Sequence, residues 1–147
     1  MRLTGYTDYA LRVLIHLALQ PGRLTTIANI AMDYGISENH LMKVVHRLGV
    51  AGIVDTVRGR KGGLRRRKSP AAIGVGRVVR LMEPDMDIAP CFNDANACVI
   101  ESACPLRGAL AEARDAFLET LDRHTLAGLA RPRRGLSALF SIEERLA

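Results

Sequence analysis

The chain has 147 residues, 48% of them hydrophobic and 24% charged. That length holds one compact domain with a real core, or a small domain with a dimerising extension, and argues against two large domains. The formal charge of +6 is unevenly divided, because residues 1–80 carry 14 Lys and Arg against 4 Asp and Glu while residues 81–147 carry 7 against 11; the first half therefore suits a polyanion, either nucleic acid or an anionic membrane surface.

The first predicted element is an amphipathic helix over Thr7 to Leu19, with Thr7 as cap and Asp8 in the positive first turn. Its apolar stretch Leu11 to Leu19 is interrupted by Arg12 and His16, and no small-residue cleavage site comes after it. No run reaches the ~18 apolar residues of a membrane helix, so a cytoplasmic protein without a membrane partner is expected. Pro21-Gly22 stops this helix. Thr25 or Thr26 opens a second, Ile27 to Tyr34, ended by Gly35, and Ser37 caps a third from about Glu38 to Val50. Ile27, Ile30, Ala31 and Tyr34 on one side of Gly35, with Leu41, Val44 and Val45 on the other, give the internal packing of a helix-turn-helix. Short helix pairs with a glycine turn also occur in ordinary bundles.

The next segment favours DNA. Ile53 to Val57 is β-prone, Arg58-Gly-Arg-Lys-Gly-Gly63 is a glycine-broken basic turn, and Leu64 resumes the chain, so a hairpin comes directly after the presumed recognition helix. That order is a winged helix. Seven of the eleven residues from Arg58 to Lys68 are Lys or Arg. A basic loop by itself is usually only solvated surface; beside a helix-turn-helix it can track a phosphate backbone and release counterions.

Beyond Pro70 a short helix is expected over Ile73 to Met82, then a loop over Pro84 to Pro90 that delivers the cysteines. Cys91, Cys98 and Cys104 are the only three in the chain and lie within fourteen residues. An odd count cannot pair off within one chain, and soft thiolates crowded together point to a metal or redox cofactor; the competing reading is that one or two are small buried hydrophobes. After Cys104-Pro105, Leu106, Leu110, Ala113, Phe117 and Leu121 recur at helical steps, a seam continuing toward Leu126. A helix of about 22 residues spans roughly 33 Å, and in so small a chain it is expected to dimerise. The tail beyond Arg131 shows no strong pattern and is expected to be flexible.

The predicted architecture is thus mainly α with a small β-hairpin: a winged-helix DNA-binding domain over 1–80, a cluster-binding loop over 81–104, a dimerisation helix over 105–130 and a C-terminal tail over 131–147. From Met1 to about Leu129 the chain resembles the winged-helix repressors that carry iron–sulfur clusters. The likeness rests on Met1-Arg-Leu-Thr, Thr7-Asp-Tyr-Ala-Leu-Arg12, Ile36-Ser-Glu-Asn-His-Leu-Met-Lys-Val-Val45, Arg58-Gly-Arg-Lys-Gly-Gly-Leu64 and the cysteine triplet. Ser-Glu-Asn-His-Leu-Met-Lys, Cys91-Phe and Arg107, where the cluster-biogenesis branch carries histidine, make it most similar to the nitric-oxide-sensing branch.

The resemblance implies a homodimeric repressor that binds a pseudo-palindromic double-stranded operator while its cluster is intact and leaves when nitric oxide nitrosylates the iron. Cys91, Cys98 and Cys104 match the family's thiolate ligands. A 4Fe-4S cluster has a fourth corner, and the best-characterised type of the nitric-oxide-sensing branch places there an aspartate from the partner subunit's first helix, whose match is Asp8 of the partner subunit; a plain helix-start carboxylate is the alternative role for Asp8. Arg12 then either pairs with Asp8 or lies near the anionic cluster. Ser37, Asn39, His40 and Lys43 are expected at bases or phosphates, and Arg58, Arg60 and Lys61 at the minor groove or backbone. His16, His46 and His124 are given no role.

Two departures stand out. The first spacing is Cys-x6-Cys where x5 is commoner, and Arg65-Arg-Arg-Lys68 replaces a stretch where relatives carry Leu-Ala, which sets Arg66 where an apolar strand residue faces the core. Two other readings compete: a 2Fe-2S regulator of iron–sulfur supply or redox state, and an iron–sulfur electron-transfer or carrier protein whose basic half docks to an acidic partner. No nucleophile–base pair or cofactor-binding glycine loop argues for an enzyme.

Overall fold

The computed structural model describes residues 2–93, 98–131 and 133–140. Helix α1 (Gly5–Leu19) begins two residues before the expected start. Thr4, not Thr7, is its cap: Thr4 has the extended backbone of an N-cap and its hydroxyl accepts from the Thr7 amide at 3.4 Å. Thr7 turns inward instead and is fully buried. Thr26, not Thr25, caps α2 (Ile27–Tyr34) through the Asn29 amide. Gly35 then takes the left-handed φ of 63° that closes the turn, a conformation glycine adopts without a side-chain penalty. Ser37 opens α3 (Glu38–Val50) as expected, yet its side chain makes no bond to the helix.

Ala10, Val13, Leu14 and Leu17 of α1 meet Ile30 and Ala31 of α2 and Leu41, Val44, Val45 and Leu48 of α3 in one core. Each large aliphatic side chain removed from water there contributes roughly 1.5–3 kcal/mol before entropy is counted. The hairpin of β1 (Val54–Val57) and β2 (Gly63–Arg66) pairs antiparallel, with Thr56 opposite Leu64 and Val54 opposite Arg66. Thr25 and Leu64 exchange backbone hydrogen bonds, 3.1 and 2.7 Å, tying the free edge of β2 to the entry of α2. Arg66 does face inward as its position requires. The register survives because its Nε donates to the carbonyl of Leu17 at 3.2 Å and its guanidinium also donates to the Lys68 carbonyl at 3.1 Å. Through Leu17, Arg66 thereby serves a carbonyl that the last turn of α1 leaves without a helical partner, and burial pulls its pKa below the usual arginine range.

The next expected helix is shorter: Pro70–Ala72 forms a 3-10 turn, Ile73 is extended and buried, and α4 covers Val75–Met82. Helix α5 (Pro105–Asp122) has 18 residues rather than about 22. Leu126 is not a continuation of its seam. The chain turns after Asp122, Thr125 caps the single-turn α6 (Leu126–Leu129), and Leu126 inserts into the head core with its amide bonded to the Ile73 carbonyl at 2.8 Å. The end of α5 crosses α4 closely: Arg80 grips Asp122 through two hydrogen bonds, 2.7 and 2.6 Å, directly over Gly76. A methyl group at Gly76 would collide with the Asp122 carboxylate, so glycine permits the approach. Helix α7 (Arg133–Leu139) comes after Pro132, and Phe140 lies with its ring 4.7 Å from that of Tyr34 and 5.7 Å from that of His16. Residues 141–147 lie outside the described residues.

Candidate nucleic-acid interface and metal centre

The residues expected to read DNA share a surface built by α3 and the hairpin. Ser37, Asn39, His40 and Lys43 are exposed on α3, and Arg58, Arg60 and Lys61 are exposed on the turn between β1 and β2. Burial of Leu41, Val44, Val45 and Leu48 sets which face of α3 is outward, so the reading face is fixed by the core. His40 is not a loose side chain. Its ring stacks on Tyr9 at 6.2 Å with 25° between planes and meets Tyr6 edge-on at 6.3 Å, so the first turns of α1 orient it.

His16 belongs to the core. It is completely buried, with Nε2 2.7 Å from Asp33 Oδ2 and Nδ1 3.4 Å from Gln20 Nε2. A polar pair buried this fully joins α1 to α2 and stays in place because each partner satisfies the other. Nearby, the Tyr34 hydroxyl donates to the Arg12 carbonyl at 3.2 Å. Burial pushes the Tyr34 pKa up to about 12; the Arg12 guanidinium, 5.7 Å above the ring, opposes this, and the carboxylates of Asp33 and Asp8 add to it. Tyr34 therefore remains a donor throughout the physiological range. His46 and His124 are both exposed.

The cysteines lie on the segment after α4 and at the start of α5. Cys91 sits in a 3-10 turn over Pro90–Phe92 and Cys104 at the N-cap of α5, both half-buried, while Cys98 is exposed. Asp94 to Ala97, four of the six residues in the first spacing, lie outside the described residues. Arg107 ties the two ends of the loop together, its Nε donating to the Cys91 carbonyl at 3.1 Å and lying 3.9 Å from Glu101. Arg107 and Arg114 both lean over the Phe92 ring, at 5.9 and 5.3 Å. Phe92, Glu101, Cys104, Arg107 and Arg114 line an open cavity of about 520 Å³.

The donor set suits an iron–sulfur cluster in kind. It offers soft thiol ligands beside a cavity, two guanidiniums able to offset anionic charge, and a helix N-terminus at Cys104. The ligands are not gathered, however: among the described residues no three His, Cys, Asp or Glu side chains lie close enough to share a metal ion. Asp8 is half-exposed and pairs with Arg12, one turn on, at 2.9 Å.

Sequence reasoning missed the junction that links this loop to the reading head. Glu83, the residue after α4, accepts from the Thr4 amide at 2.9 Å and the Thr4 hydroxyl at 3.2 Å, so it caps α1. Arg47 near the end of α3 donates to the Met82 carbonyl at 3.3 Å. Two successive residues thus hold the start of α1 and the end of α3 just where the chain leaves for Cys91. Contacts 79 and 35 residues apart leave no periodic trace; an acidic residue ending an amphipathic helix was the only available sign.

The chain is similar to known transcriptional regulators along nearly its whole length. The chain is 48% identical over 146 residues to the HTH-type transcriptional regulator NsrR of Bacillus subtilis, covering 98% of this chain and 100% of that one. The NsrR of Shouchella clausii is 43% identical, covering 97% of each. Among solved structures, CymR, the global cysteine regulator of B. subtilis, matches with a TM-score of 0.73 at 31% identity, over 89% of this chain and 97% of that one. T. potens IscR, at 24% identity and a TM-score of 0.71 over 90% of this chain and 88% of that one, shows the same fold. These likenesses answer the electron-carrier alternative in favour of a regulator. Residues 3–132 match the Rrf2 model, described as an iron-dependent transcriptional regulator, and the chain belongs to that family.

Proposed function

We propose that this protein is a homodimeric DNA-binding repressor that senses nitric oxide through an iron–sulfur cluster and releases its operator when the cluster is nitrosylated. The observation that carries this reading is the near full-length likeness to regulators named NsrR, in a chain whose three cysteines separate a basic reading head from a largely exposed helix. Cys91, Cys98 and Cys104 would supply three ligands and Asp8 of the partner subunit the fourth. When bound, a 4Fe-4S cluster supplies iron at which nitric oxide reacts.

The chain's own residues do the rest. Arg107 holds the Cys91 turn against α5, and the guanidiniums of Arg107 and Arg114 offset negative charge beside Cys104. Asp8 is a harder ligand than a thiolate and binds a soft iron corner less firmly, which suits a site open to attack. Helix α5 leaves Leu106 63% exposed and buries only Leu118 among the described residues, a face available to a second copy. A twofold dimer presents two α3 helices to a pseudo-palindrome, with half-sites about 34–36 Å apart. The Glu83–Thr4 and Arg47–Met82 bonds give the loop a route to both helices that position His40.

Anaerobically purified protein, studied by absorption and Mössbauer spectroscopy and by retardation of promoter DNA with and without nitric oxide, tests the reading. A four-iron signal that bleaches with nitric oxide as retardation disappears is expected. A two-iron signal indifferent to the gas would overturn it and favour the 2Fe-2S regulator.

A further inference from the structure

Over the first turns of α3 the outward face is polar except at one place; Val50, 78% exposed, is the last residue of the helix. Met42 is 49% exposed, with Asn39 three residues before it, Lys43 next to it and His46 four after it, all exposed. A single exposed methionine is ordinary on most surfaces. This one occupies the middle of the stripe that the helix-turn-helix turns outward, and the side chains around it can each donate or accept a hydrogen bond while its thioether forms at most a weak one.

From this placement we infer that Met42 reads a thymine methyl group in the major groove of each half-site, making it a specificity-determining residue; the inference rests on the DNA-binding reading above. The thymine C5-methyl is the apolar feature of the major-groove edge, and apolar side chains recognise it by contact. The surrounding charge supports this occupant. Lys43 and the arginines of the hairpin turn attract phosphates without regard to sequence, leaving the uncharged residues of the stripe to discriminate. Asn39 has the donor–acceptor pair that suits adenine. Met42 lies about 4.5 Å further along the helix axis, against a base-pair rise of roughly 3.4 Å, so the two side chains reach the same or an adjacent A·T pair. Methionine's flexible, polarizable side chain adapts to a methyl whose height and angle vary with local DNA shape.

The test uses the full-length protein and duplexes selected by it from a randomised library, with each thymine of the selected site replaced in turn by deoxyuridine, which removes only the methyl. Wild type is expected to lose about three- to fourfold in affinity at one thymine per half-site, the worth of burying one methyl. Met42→Ala should bind thymine and deoxyuridine duplexes equally, Met42→Leu should keep part of the preference, and Met32→Ala, on the more exposed methionine of α2, should behave as wild type. Indifference of the wild type to methyl removal at every thymine overturns the inference, as does a Met42→Ala protein that keeps the full loss, or one weakened equally on selected and random DNA. If the wild type selects no sequence at all, the DNA-reading function itself fails, a result separable from the others because it appears before any variant is made.

Discussion

The head and the cysteine-bearing segment after it are built on opposite terms. In the head, Leu14, Ile30, Leu41, Val44 and Leu48 are all completely buried, and the polar groups inside are paired, His16 with Asp33 and Arg66 with two carbonyls. Between Glu83 and Cys104 the described residues form only two 3-10 turns, and α5 adds one buried side chain. The difference separates two requirements. A surface that reads DNA needs fixed geometry, which a close-packed core supplies. Side chains proposed to hold a cluster that a small molecule reaches cannot be sunk in such a core, and the Cys91 turn is held instead by a few bonds such as that from Arg107.

If that division is right, the largest effects on each side should leave the other untouched. Cys91→Ala or Cys104→Ala should abolish the visible absorption of the cluster entirely while far-ultraviolet circular dichroism keeps its helical signal; collapse of the helical signal as well would break the comparison. Leu14→Ala or Leu41→Ala should destabilise the apo protein by about 3 kcal/mol in denaturant titration. Leu106→Ala should leave that unfolding of the apo protein unchanged and appear instead as weaker self-association by sedimentation.

Smaller effects sharpen the boundary. Removing the donors of Arg66 with Arg66→Ala should cost about 1 kcal/mol, read from the denaturation midpoint. The smallest effect is expected at the Arg80–Asp122 grip, where α5 rejoins the head. The hydrogen bond from Arg80 holds the Asp122 carboxyl below its ordinary value of 3.8. A carboxylate lowered on folding adds stability that is present above its unfolded pKa and lost as pH falls through the folded one. The melting-temperature gap between wild type and Asp122→Asn should therefore hold at neutral pH and close only below about pH 3.8. A gap that persisted in stronger acid would assign the effect to packing over Gly76 instead.

The winged helix was legible because its signals are local: Thr26, Gly35 and the 3.6-residue spacing of Leu41, Val44, Val45 and Leu48 each act within a turn or two. The ends of elements were less so. Leu126, toward which the α5 seam is expected to continue, lies five residues past Leu121, and its bond to the Ile73 carbonyl places it in the head core instead. Helix α7 carries no clear stripe, and its neighbour Phe140 finds His16 and Tyr34 more than a hundred residues away. The candidate metal centre divides the same way. Its cysteines announce themselves by crowding, whereas Arg107 on the Cys91 carbonyl and Glu83 on Thr4 depend on a backbone path that no local pattern encodes.

Helix α1 is held at both ends by single charged side chains, Glu83 at Thr4 and Arg66 at Leu17. Fifteen helical residues make a rod about 22 Å long. A rod of that length pinned at the hairpin end would tilt by about 2–3° for a displacement of 1 Å at Glu83, and Tyr6 and Tyr9, which touch the ring of His40, lie toward the Glu83 end.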